Sequence, residues 1–226
     1  MKKYLGKIVA IFSCLTLLTG GSACKEEEKI RLSYRLNEVE NGYVLVDCSE
    51  NAKNVVIPSE YNGLPVIGIG ERAFDYCSDL AELVIPDSVK EIGAGAFLEC
   101  DGLTELFIPN SVNSIGKDAF RYCDSLKSVH LPDALTKIDK RTFSYCSSLR
   151  GISVPTSVQR IEDYAFNGCV NLTDVIIPAS VTYVGNNVFY GCQRLTIYCV
   201  AEKESEVWSS SWNSLNRPVV WGYKGE

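Results

Sequence analysis

The chain has 226 residues, 46% of them apolar and 22% charged, a globular balance that excludes a disordered chain. Its formal net charge of −6 argues against nucleic acid as a partner, because phosphate binding needs clustered Lys and Arg. No cofactor is implied: Gly68-Ile-Gly70 lacks the rest of a phosphate loop, no Cys-x-x-Cys occurs, and His130 is the single histidine.

Residues 1–23 read as a secretory signal. Lys2, Lys3 and Lys7 precede the apolar run from Ile8 to Leu18, and small residues then lead to Cys24. The run is too short for a transmembrane helix. This leader holds three lysines and no acid, so its removal takes the net charge to −9. The placement of Cys24 after Ser22 and Ala23 resembles a bacterial lipobox, which implies lipidation of Cys24; plain cleavage near Ala23 is the alternative. Residues 24–29 then form a solvated tether. Residues 30–57 form an N-terminal cap, with Tyr34 to Val46 as a hairpin.

From residue 58 to 195 the chain repeats. Phe-x-x-Cys-x-x-Leu occurs six times, each copy 23 residues from the next, from Phe74-Cys77-Leu80 to Phe189-Cys192-Leu195. A fixed period in this range is the signature of a leucine-rich-repeat solenoid. We expect a right-handed curved stack of about six coils, mainly β with short helical or 3₁₀ turns, capped at both ends. Within a coil, Leu83 and Ile85 alternate as in a strand, and Pro86 stops it, since proline cannot donate to a ladder. A second extended stretch carries Val89 and Ile92. Ala96 to Cys100 reads as about one turn of helix. Residues 196–226 form a C-terminal cap containing Trp208, Trp212 and Trp221.

The pattern x-S-V-x-x-I-G-x-x-A-F-x-x-C-x-x-L-x-x-L-x-I-P resembles the BspA-like, or Treponema pallidum-type, leucine-rich repeats of bacterial surface proteins. The resemblance spans roughly residues 30 to 223. It includes an irregular first repeat with five extra residues around Glu60 to Val66, and a tail similar to the family's C-terminal cap. It implies an exported, surface-displayed protein that adheres to host matrix or plasma proteins or to other bacteria, without covalent chemistry.

Six of the ten cysteines recur at the repeat spacing beside Phe and Leu, so they read as a buried column of thiols acting as small hydrophobes. Bonds between neighbouring cysteines would depend on geometry. Cys48 and Cys199 lie in opposite caps. His130 has no nucleophile signature beside it and reads as a surface residue. The tryptophans read as end caps, with sugar stacking as the rival role. Positions alternating with the buried strand residues face outward on the concave sheet. The candidate ligand-binding residues are therefore Glu82, Val84, Glu105, Phe107, Ser128, His130, Ser153, Asp174 and Ile176, with Gly151 in the same row. A macromolecular ligand, most simply a protein, fits such a strip around Phe107. A glycan-binding module and a purely structural envelope role are the alternatives.

Overall fold

The computed structural model describes residues 8–11 and 30–225. The hairpin expected in the N-terminal cap is β2 (Arg31–Leu36) antiparallel to β3 (Tyr43–Cys48). A short strand β1 (Ile8–Ile11) lies antiparallel along the other edge of β2. It belongs to the segment read above as a leader; the rest of that segment, Cys24 and the tether lie outside the described residues. After β4 (Asn54–Val56), the five extra residues of the first repeat fold as a small hairpin, β5 (Glu60–Tyr61) against β6 (Leu64–Ile69). Asn62 and Gly63 turn it with left-handed backbone, φ 48° and 79°, the conformation a two-residue hairpin turn requires.

Each coil then adds one strand to each of two parallel ladders. The first ladder runs β4, Glu82–Val84, Glu105–Phe107, Ser128–His130, Gly151–Ser153, Asp174–Ile177, Thr196–Cys199 and Val219–Trp221. Its pairing is in register, with Phe107 opposite His130 and Ile176 opposite Tyr198, although the bonding falls into three segments. The second ladder continues β6 through Glu91–Ile92 and Ser114–Ile115, then resumes over Lys137–Ile138, Arg160–Ile161 and Tyr183–Val184. Both caps extend the first ladder, so the solenoid has about eight coils rather than the six of the Phe-Cys-Leu motif.

The expected helical turn around each phenylalanine is not a helix. The Phe N–H donates to the next coil, as Phe74 does to the Ala96 carbonyl at 2.8 Å, rather than back along its own chain. Two left-handed residues flank each Phe and turn the chain there. Before it stand Arg72, Gly95, Asp118, Arg141, Tyr164 and Asn187; after it stand Tyr76, Glu99, Tyr122, Tyr145, Gly168 and Gly191. Most of these are not glycine, and left-handed backbone costs an L-residue about 1–2 kcal/mol. Bonds to the next coil at alternate residues of the turn offset that cost.

The core is one continuous cluster. Phe74, Phe97, Phe120, Phe143, Phe166 and Phe189 stack nearly parallel, with centroids 5.1, 5.3, 5.4, 5.6 and 5.7 Å apart in turn. Strands in a ladder lie only about 4.8 Å apart. The coils therefore fan open on the Phe side, and the first ladder takes the inner, concave side. Trp212 meets Phe189 edge-on at 6.2 Å and ends the stack. Beside the rings runs the cysteine column, whose members are buried thiols. Cys100, Cys123, Cys146, Cys169 and Cys192 each donate to the carbonyl of the Phe 26 residues earlier, at 3.0–3.1 Å. The thiols are thus coil-to-coil hydrogen-bond donors as well as small hydrophobes. Bidentate Arg141–Asp118 bonds of 2.6 and 2.9 Å add a further link between coils.

Candidate functional site

The concave ladder presents two rows of outward side chains, because strand residues two apart share a face. Asn54, Glu82, Glu105, Ser128, Gly151 and Asp174 form one row; Val56, Val84, Phe107, His130, Ser153 and Ile176 form the other. Every candidate residue named from sequence lies in these rows, as neighbours across the coils. Phe107 is 62% exposed, an unusual position for a Phe. Its ring stacks flat on His130, centroids 4.7 Å apart and planes 1° from parallel. The pair makes a rigid aromatic plate of two coils' width.

Three members of the apolar row were not legible in the repeat. Val56 precedes the first full repeat, and Tyr198 and Val220 follow the last, yet the ladder places all three in line with Phe107. Val56 and Val220 are exposed. Beyond Ile176 the strip opens into a shallow hollow of about 450 Å³ lined by Val200, Glu202, Tyr223 and Lys224, among others.

A second feature escaped sequence reading altogether. At the rim of the concave face, Lys127, Ser148, Arg150, Asn171, Thr173 and Arg194 line a cleft of about 280 Å³. These residues come from two columns of the repeat, the positions just before and just after the conserved Leu. Only the ladder register, read across three coils, would have joined them. Arg194 donates to Asn171 at 3.2 Å, and Thr173 to Asp174 at 2.7 Å. Among the described residues, the charged ends of Lys127, Arg150 and Arg194 make no ion pair, nor do Glu82 and Glu105. This side of the sheet thus carries free carboxylates at Glu82, Glu105 and Asp174, and a cluster of free cations at Lys127, Arg150 and Arg194 along one rim.

Burial pushes the thiols of Cys100, Cys123 and Cys146 well up, so they stay protonated and inert. His130 stacks on a ring rather than reaching a carboxylate. Among the described residues, no group of three or more His, Cys, Asp or Glu side chains could hold a metal ion. The tryptophans pack on one another, with Trp208 and Trp212 buried 5.1 Å apart and the Trp212 indole donating to Glu204 at 2.6 Å. Neither buried ring is open to a sugar.

Comparison with known proteins gives a consistent result for the fold. The family described as the BspA type leucine rich repeat region matches residues 67–196 in six copies. A solved structure of a T. pallidum leucine rich repeat protein superposes with a TM-score of 0.72 at 29% identity, covering 86% of this chain and 95% of that one. A leucine-rich repeat protein from Bacteroides ovatus matches at 27% identity with a TM-score of 0.47, covering 84% and 70%. A leucine rich cell surface protein from Faecalibacterium prausnitzii matches at 16% identity with a TM-score of 0.43, covering 92% and 100%. No curated protein matches the chain.

Proposed function

This chain belongs to the BspA type leucine-rich repeat family, and from that premise we propose that it is an adhesin-like binding protein, exported and displayed at the cell surface. Its ligand is a macromolecule, a host matrix protein or a bacterial surface protein, held by non-covalent contacts along the concave sheet. Cys24 is the proposed lipid attachment point. The observation that carries the reading is the exposed row from Val56 to Val220, centred on the Phe107–His130 plate. A largely apolar strip on an outward sheet face, rimmed by unpaired charge, is the composition of an interface core with its rim. An idle sheet face would carry small polar residues there, as Ser153 does alone in this row.

The test is binding of the purified chain to an array of matrix proteins, bacterial surface proteins and glycans, beside a Phe107→Ala/His130→Ala variant. Aromatic anchors at an interface centre contribute about 2 kcal/mol or more, so the variant should bind at least about 30-fold more weakly while its circular dichroism is unchanged. Binding that survives in the folded variant would remove the site from this plate.

The cationic cleft predicts a second result. Lys127→Glu/Arg150→Glu reverses its charge without touching the core. A ligand that presents acidic groups to the cleft should then associate about 10-fold more slowly at low salt, with its dissociation rate nearly constant, as for rim charges. Stopped-flow or surface-based kinetics at two ionic strengths reads this directly. An unchanged association rate at low salt would show that the cleft lies outside the contact.

A further inference from the structure

The thiol column has one irregular end. Five of its six repeat cysteines reach the carbonyl of the Phe 26 residues earlier, at 3.0–3.1 Å. Cys77, the first, has no such partner, because the residue 26 before it is Asn51, in the turn that follows β3. Its thiol instead lies 3.9 Å from the Ser49 carbonyl oxygen. Cys48, at the end of β3, points its thiol at the same oxygen from 3.6 Å. That oxygen already accepts the Ala52 N–H at 3.0 Å, so neither sulfur gains a good hydrogen bond there. Two buried thiols thus converge on one occupied acceptor, 3.6 and 3.9 Å from the same oxygen.

We propose that Cys48 and Cys77 form a disulfide that clamps the N-terminal cap to the first coil. The exchange is ordinary thiol–disulfide chemistry. The Cys77 thiolate attacks one sulfur of a disulfide oxidant, oxidised glutathione or the disulfide form of an exported thiol oxidoreductase, and expels the first thiolate. Cys48 loses its proton to that thiolate and attacks the Cys77 sulfur of the mixed disulfide, expelling the second. Two protein thiols give up two electrons and two protons, and one oxidant disulfide becomes two thiols. The neighbouring Cys48 thiol holds the Cys77 thiol below its usual range, which suits it to make the first attack. Cys48 is 6% exposed, the highest of the eight described cysteines, so an oxidant reaches this end of the column first.

The same chemistry is disfavoured further along. Cys169 and Cys192 also neighbour each other, but each already donates to a Phe carbonyl at 3.1 Å, and pairing would break both bonds. The inference rests on the export reading for the oxidising compartment in the cell, but not for the pairing itself.

The full chain is equilibrated with mixtures of oxidised and reduced glutathione, quenched with acid, alkylated under denaturing conditions and digested without reduction. Peptide mapping should find Cys48 joined to Cys77, with Cys100, Cys123, Cys146, Cys169 and Cys192 alkylated. The melting temperature should rise by roughly 5–10 °C on oxidation, reversibly with dithiothreitol, and Cys77→Ser should lose that rise. Alkylation of both Cys48 and Cys77 in the most oxidising mixture would overturn the proposal, as would a bond from either to any other cysteine. Whole-cell alkylation separates the two readings: a chain that pairs in the purified state but is reduced in the cell fails export, not pairing.

Discussion

Raising the pH from 8 to about 10 in the presence of reductant should unfold this protein. Burial raises the thiols of Cys100, Cys123, Cys146 and Cys169, and that of Cys199 to about 12. An unfolded thiol titrates near about 8.5. A group whose folded value is raised contributes stability that is fully present below its unfolded value and is lost as pH climbs toward the folded one. Above about pH 9, then, the unfolded chain sheds five protons that these thiols retain in the native state. Each costs about 1.4 kcal/mol per pH unit, together about 7 kcal/mol per unit. Domains have only about 5–15 kcal/mol in hand. Urea midpoints measured from pH 7.5 upward should fall steeply beyond pH 9. The triple variant Cys100→Ala/Cys123→Ala/Cys146→Ala should flatten that slope to about two-fifths. A wild-type midpoint independent of pH up to 10.5 would mean that the thiols are not held neutral by the fold.

Replacing Phe120 with alanine is expected to cost about 3–5 kcal/mol. Phe120 is fully buried in the middle of the stack, 5.3 Å from the Phe97 ring and 5.4 Å from the Phe143 ring. Deleting it opens a cavity that the neighbours cannot close. Their backbones are fixed by bonds on both sides: Phe97 N–H to the Ala119 carbonyl and Phe143 N–H to the Ala165 carbonyl, with the Cys123 and Cys169 thiols on the Phe97 and Phe143 carbonyls. Phe107→Ala, the same substitution on the exposed sheet, should change stability by no more than about 0.5 kcal/mol. Urea unfolding of the two variants side by side separates the ring that holds the fold from the ring assigned to binding. A loss below about 1 kcal/mol at Phe120 would show that the stack is not the spine of the solenoid.

The unbroken 23-residue register made the ladders, the ring stack and the outward rows legible in the sequence. Period and alternation are properties of the chain itself, and each copy repeats the signal. The turns around Phe were not legible. Arg72, Asp118, Tyr122, Arg141 and Tyr164 carry no local mark of left-handed backbone; contacts with neighbouring coils impose it. A local reading of Ala-Phe-x-x-Cys therefore gave a helical turn where alternate N–H groups bond sideways to the next coil. Val56, Tyr198 and Val220 stayed hidden for a related reason, since they join the concave row through register and not through the motif. The cleft at Lys127, Arg150 and Arg194 mixes two columns whose other members run from Asp79 and Ala81 through Gly102 to Ser, Thr and Asn, so neither column advertises a positive charge.

Within the repeats, the bonds between coils join residues 22 to 26 apart. Every loop closed during folding is consequently the same short length, roughly a tenth of the chain. Loop-closure entropy rises only with the logarithm of that length, so each new coil meets the same barrier wherever it docks. Folding can start at any adjacent pair of coils and zip toward both ends. The rate-limiting event is then the first pairing, and a version of this chain with twice as many coils should fold at nearly the same speed.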